Sequence, residues 1–268
     1  MATKYSIAYI GASLGRSDPG REMSFPLRLY LLLKNTGMFD IDLASFCYDG
    51  LSYKRIMSIM NAYGNPNYSV SWKAITFLQD AIAQGRVPMA FVDMAWNDAF
   101  FQVDGGNIAE WQGYAEMLMS DLPKYAPGTQ LFQVSITPPP VCTFGGVTYI
   151  LANTPWAEFD AWLRSQYGPN NVITLNYALA ISSLTQLGIN PTLDGAHMGP
   201  NVPKVASALM QNSMQSLTAF QDIELNEFPI WENMTLTLNS AVSTATDQAS
   251  VANKQLALQA LRSLGFAL

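Results

Sequence analysis

Histidine is almost absent: the chain of 268 residues contains one, His197. That scarcity excludes metal centres built on several imidazoles, such as the paired-histidine zinc helix, and any reaction needing an imidazole must use this one. No metal site and no cofactor is expected. Cysteine is nearly as scarce, with only Cys47 and Cys142, both in apolar surroundings and without metal-ligand spacing. Two buried free thiols are expected, with a disulfide as the alternative. Charge is low as well, 13% of residues with a net of −6. No basic run occurs, so a nucleic-acid partner is not expected, because binding phosphates needs clustered Lys and Arg. Neutral sugars and esters remain open as partners. No apolar run approaches the ~18 residues that span a bilayer. Lys4 is followed by a short strand-like run rather than a long apolar core, so no signal peptide, no membrane partner and cytoplasmic synthesis are expected.

What is present is a regular alternation. Residues 4–10 are largely apolar, rich in β-formers, and stop at Gly11; this reads as a buried strand entering a tight turn. Further strands are predicted over 39–48, 88–94, 129–136 and 172–175. Helices are predicted over 21–35, 51–62, 70–84, 108–125, 156–167, 177–187 and 202–219, and 63–68 reads as a loop. In the 108–125 helix Trp111, Ala115, Leu118, Met119 and Leu122 form an inward stripe. Strands alternating with helices imply a parallel sheet covered on both faces.

In such a sheet, ligands bind where strands end and helices begin. Three strand ends therefore place Ser13, Gly50 and Asn97 on one rim. A loop near the end of the domain presents Asp194-Gly-Ala-His197. Each residue also has a plain reading. Ser13 caps the next helix, Gly50 supplies a positive φ, Asn97 caps a helix, Asp194-Gly195 is a turn, and His197 lies on a surface loop.

Taken together, Gly-Ala-Ser13, Gly50, Ala-Trp-Asn97-Asp and Asp194-Gly-Ala-His197 resemble, in order, the four motifs of the SGNH hydrolases, also called GDSL lipases and esterases. The resemblance covers roughly residues 4–219. It implies a flavodoxin-like three-layer α/β/α sandwich with a five-stranded parallel sheet. It also implies Ser13 as nucleophile, His197 as base and Asp194 as the acid that orients the imidazole. The implied oxyanion hole is the backbone N–H of Ser13, the backbone N–H of Gly50 and the side-chain amide of Asn97. Two positions depart from the pattern. Ala12 stands where the family usually has aspartate, and Ala95 where it usually has glycine.

Aromatic residues crowd the predicted rim: Tyr48, Tyr53, Tyr63, Tyr68, Trp72, Trp96, Phe100 and Phe101. Trp96, beside Asn97, is the expected substrate contact. The loop 137–146, with three prolines and two glycines, is expected to be a connection, with a wall of the site as the alternative. Two domains are expected, 1–219 as hydrolase and 220–268 as a partly helical extension. In the extension Val242, Ala245, Ala249, Ala252 and Leu256 follow a three-four spacing, read either as a coiled-coil seam for a homo-oligomer or as a helix packed on the domain. The tail and the low charge are similar to esterase domains of bacteriophage virion or tail proteins. The expected function is a serine esterase removing an acetyl or other short acyl group, with an acylated carbohydrate as substrate. The alternatives are a virion structural or carbohydrate-binding protein with little catalysis, and an intracellular lipase-like enzyme for long chains.

Overall fold

The computed structural model describes residues 4–15, 26, 30, 40–56, 70–175, 177, 178, 181, 185, 192 and 194–197. The predicted helix over 21–35 except 26 and 30, residues 57–62, the loop at 63–68, the helix over 177–187 except 177, 178, 181 and 185, the helix over 202–219 and the extension 220–268 lie outside the described residues.

The centre is a five-stranded, wholly parallel sheet in the order β2-β1-β3-β4-β7. Its strands are β1 (Lys4–Gly11), β2 (Asp40–Cys47), β3 (Val87–Asp93), β4 (Gln130–Ile136) and β7 (Val172–Leu175). In β1 and β3 nearly every residue is buried, as expected for strands covered on both faces, so they read as continuous apolar runs rather than alternating ones. The register aligns Cys47, Gly11 and Asp93 across three neighbouring strands at the carboxyl edge. Among the described residues three helices flank the sheet: α1 (Val70–Ala83), α2 (Ile108–Tyr125) and α3 (Trp156–Tyr167). The side chain of Asn107 caps α2 by accepting the N–H of Glu110, and Trp111, Ala115, Leu118 and Leu122 face inward. The fold class and the α/β/α layering expected from sequence are those observed.

At the amino edge Arg86 fastens β1 to β2. Its guanidinium donates to Ser6 Oγ and to the carbonyl of Tyr5, both at 2.8 Å, and to the carboxylate of Asp40 at 3.0 Å. The carboxyl edge, by contrast, is built from loops.

Two features there differ from expectation. The 137–146 connection is not a plain loop. After the three prolines it forms β5 (Val141–Phe144), which pairs antiparallel with β6 (Val147–Ile150) in a separate two-stranded sheet. Gly145 and Gly146, with φ of +59° and +78°, make the two-residue reversal, the turn whose twist suits a hairpin. The second feature follows β3: Trp96–Phe100 forms a single π-helical turn, closed by Phe101 N–H donating to the Trp96 carbonyl at 2.8 Å. Such turns are rare and cluster at functional sites.

Candidate active site

A cavity of about 310 Å³ opens at the carboxyl edge, and Ser13, Gly50, Trp96, Asn97 and His197 all line it. Ser13 begins a short 3₁₀ turn that leaves β1, Ser13–Gly15. That turn is anchored to the neighbouring strand, since Ala12 N–H donates to the carbonyl of Asp93 at 3.1 Å. Gly50 follows β2 with a φ of +66°, the left-handed conformation that glycine adopts without a steric penalty. Its segment is held from the π-helical turn by two consecutive side chains. Asn97 Nδ2 donates to the carbonyl of Leu51 at 2.7 Å, and Asp98 Oδ2 accepts the N–H of Tyr53 at 2.8 Å. A carboxamide nitrogen carries two N–H groups, and the contact with Leu51 uses one.

The histidine and its acid form a tight pair. His197 Nδ1 lies 2.6 Å from Asp194 Oδ2. The other carboxylate oxygen accepts the backbone N–H of His197 at 2.8 Å and of Ala196 at 3.1 Å. Desolvation pulls the Asp194 carboxyl upward, but the hydrogen bonds from His197 and Ala196 outweigh it and leave its pKa lowered. An ionised carboxylate on Nδ1 selects the tautomer that leaves Nε2 free to accept a proton. Among the described residues no hydrogen bond joins the Ser13 hydroxyl to His197. Nucleophile–base contacts are often long before substrate binds, and tighten with it.

Gly195, in the middle of the Asp194–His197 segment, has a φ of +95°, and a Cβ there would collide with the carbonyl of Thr143 in β5. Gly195→Ala is therefore expected to destabilise the fold by about 1–3 kcal/mol through backbone strain alone, more with the collision, and to displace His197. Thermal denaturation alongside an ester-hydrolysis assay measures both effects; a variant with wild-type melting and rate contradicts the packing described.

The walls are aromatic, with Trp96 and Phe101 of the expected set and two residues that were not expected, Phe144 and Tyr149. Tyr53 and Phe100 are fully buried in the core. Trp72 packs on Tyr125 at 4.8 Å, its ring in the α1–α2 contact, while Tyr63 and Tyr68 lie outside the described residues. Trp96 does line the cavity, but only 2% of it is exposed and its indole N–H donates to the carbonyl of Ile136 at 2.6 Å. The exposed part of the wall comes from Phe101 and from the hairpin, through Phe144 and Tyr149. Phe101 meets Tyr149 edge-on at 4.9 Å and Phe144 at 5.7 Å.

Sequence reasoning also passed over Asp93, a cavity-lining carboxyl that is 2% exposed and accepts the Tyr9 hydroxyl at 3.0 Å. Burial pushes it up to about 7, although the Tyr9 bond acts the other way. A carboxyl closing an otherwise apolar strand was the available signal. Cys47 and Cys142 are both free and buried. Among the described residues no cluster of three metal-ligating side chains occurs, and no helix is long and apolar enough to cross a membrane.

No protein-family model and no curated protein matches the chain. Solved structures do. A lipase from a goat rumen metagenome is similar over 78% of this chain and 97% of its own, at 11% identity and a TM-score of 0.54. A GDSL-like lipase from Parabacteroides merdae covers 80% of this chain and 97% of its own, at 12% identity and a TM-score of 0.51. A two-domain esterase active on acetylated mannans covers 80% of this chain and 49% of its own, at 12% identity and a TM-score of 0.50. At such identities the likeness is one of architecture, and the chain has the α/β/α fold shared by these GDSL-type lipases and esterases.

Proposed function

We propose that the chain is a serine esterase. Ser13 Oγ attacks the acyl carbonyl while His197 Nε2 takes its proton, and Asp194 holds the imidazole and stabilises its charged form. The carbonyl oxygen, now anionic, is received by the backbone N–H groups of Ser13 and Gly50 and by the Asn97 amide. Collapse of the intermediate breaks the bond to the alcohol oxygen, which leaves with the proton from His197. Water then attacks the acyl-serine by the same path, giving the carboxylic acid and free Ser13.

The observation that carries this reading is the 2.6 Å contact between the only histidine and Asp194, on the wall of the cavity that Ser13 also lines. The acyl group packs against Phe101, Phe144 and Tyr149, which suits a short uncharged chain. For the alcohol we propose a carbohydrate, with an acetylated polysaccharide as the substrate class. The setting we propose is a bacteriophage virion or tail, with 220–268 as the oligomerising element; the composition of that extension supports it.

A fluorophosphonate probe is expected to label Ser13 in the full chain, located by peptide mapping. Nitrophenyl esters of increasing acyl length are expected to be hydrolysed fastest at two to four carbons. No label on Ser13 together with no hydrolysis overturns the esterase; a rate that climbs steadily to long chains assigns a lipase-like enzyme instead. A second reading, a carbohydrate-binding protein on the same fold, is favoured by the absence of a Ser13–His197 hydrogen bond among the described residues. Glycan binding without ester cleavage identifies it.

A further inference from the structure

The hairpin does more than wall the cavity. Three consecutive residues of β5 meet the segment that carries the histidine. The Cys142 thiol donates to the Gly195 carbonyl at 3.2 Å, the Thr143 carbonyl lies where a Cβ on Gly195 would be, and the Phe144 ring stands at 83° to the imidazole with centroids 5.3 Å apart. Burial and then the charge of Asp194 raise the Cys142 thiol to about 11, so it remains protonated and able to donate. From the other side the Tyr177 hydroxyl donates to the Ala196 carbonyl at 3.0 Å. β5 thus meets the segment at three successive positions, and the ring of His197 is met by Phe144 as well as by Asp194.

We propose that β5 holds the imidazole, with Phe144 as a positioning residue for His197 and Cys142 as the pin of the segment that bears it. The Nδ1 contact with Asp194 fixes one corner of the ring but leaves rotation about the line of that contact. A flat aromatic neighbour set nearly perpendicular to the imidazole removes that rotation, and this edge-to-face arrangement is the one aromatic rings favour. Phe144 also lines the cavity and packs on Phe101 at 5.7 Å. An acyl group lodged against this wall therefore rests on the residue that aligns the base, so filling the cavity and orienting His197 are coupled. A ring displaced by as little as 1 Å is expected to lower turnover by about 10²-fold.

The inference rests on His197 being the base of the proposed esterase, but its test reads the imidazole directly and so separates the two. With a single histidine in the chain, ¹⁵N-histidine labelling of the full-length protein yields one Nδ1–H resonance, shifted downfield by its hydrogen bond to Asp194. That proton is expected to exchange slowly with water in the wild type. In Phe144→Ala it is expected to broaden or vanish, and kcat for a nitrophenyl ester to fall by about 10²-fold with KM changed far less. Phe144→Tyr is expected to restore both readouts. Cys142→Ala is expected to speed exchange and Cys142→Ser, which keeps a donor, to reverse it. Val141→Thr, on the outer face where Val141 is 57% exposed, leaves both readouts unchanged. Should Phe144→Ala fail to fold, Phe144→Leu takes its place with the same direction of effect. An unchanged resonance in a folded Phe144 variant overturns the proposal; if activity falls nonetheless, Phe144 is a substrate contact only. Absence of a slowly exchanging Nδ1–H in the wild type overturns it as well. Failure to hydrolyse any ester with a protected Nδ1–H overturns the esterase and leaves the holding role of β5 standing.

Discussion

Ser13→Ala is expected to lower kcat for a short-chain nitrophenyl ester by about 10⁴–10⁶-fold while KM moves little, because the variant keeps the cavity but loses the atom that forms the acyl-enzyme. His197→Ala is expected to cost nearly as much. Combining the two adds almost nothing, since the hydroxyl and the imidazole perform one step. Asp194→Asn keeps the shape of the 2.6 Å contact with Nδ1, but the amide can present its N–H there and stabilise the wrong tautomer; a loss of about 10⁴-fold is expected. Steady-state kinetics on the wild type, the three single variants and the double variant, at equal concentrations of folded protein, provides the comparison. Hydrolysis by Ser13→Ala at the wild-type rate would remove Ser13 from the chemistry and the triad with it.

The second large effect concerns stability and pH. Asp93 and Asp98 are each 2% exposed, and in both burial is the leading cause that raises the carboxyl from 3.8 to about 7. Among the described residues Oδ1 of Asp98 has no hydrogen-bond partner, which adds to the cost of charging it. Between about pH 4 and pH 7 the folded chain retains protons that the unfolded chain has released, so stability is lost as pH rises through that window. For Asp93 the loss amounts to about 4 kcal/mol once both states are ionised. Asp93→Asn preserves an acceptor for the Tyr9 hydroxyl and never ionises. It is expected to match the parent at pH 4 and to exceed it by several kcal/mol at pH 8, read from urea denaturation at the two pH values. Equal stability at pH 8 would show that Asp93 carries no raised carboxyl. The same substitution is expected to favour turnover above neutrality, because an ionised carboxylate on the cavity wall opposes the developing oxyanion.

The sheet was legible in the sequence for a specific physical reason. Strands buried on both faces are predominantly apolar, as in 7–10 and 89–92, and Gly11, Pro88, Gly128 and Pro138 punctuate the strand ends. Helices α2 and α3 were equally plain, because Trp111, Ala115, Leu118 and Leu122 in the first and Trp156, Phe159, Leu163 and Tyr167 in the second keep a helical period. The hairpin was obscured by Pro138-Pro-Pro140, which reads as irregular chain. Gly145-Gly146 between Cys-Thr-Phe and Val-Thr-Tyr was nonetheless a hairpin signal. For the site, strand ends placed Ser13, Gly50 and Asn97 on one rim and the motif resemblance added Asp194 and His197; the structure lines one cavity with Ser13, Gly50, Asn97 and His197, with Asp194 bonded to the imidazole behind it. What sequence could not supply was which aromatic rings remain exposed. Tyr53, Trp96 and Phe100 sit beside site residues in the chain, yet their rings turn into the core, while Phe144 and Tyr149 arrive from a distant hairpin. Asp93 and Asp98 were hidden similarly, since burial and not spacing gives them their chemistry.

The strand order carries a consequence for how the molecule is made. β1 leaves the ribosome before the other strands of the sheet, yet it finishes in the interior between β2 and β3. Its first partner, β2, begins at residue 40, whereas β3 begins only at residue 87. A nascent chain halted between those points bears an apolar strand with one unsatisfied edge, the kind of surface that pairs with other chains. Slowing translation before residue 87 is thus the point in synthesis where chaperone protection matters most, and where recombinant production is most exposed to aggregation.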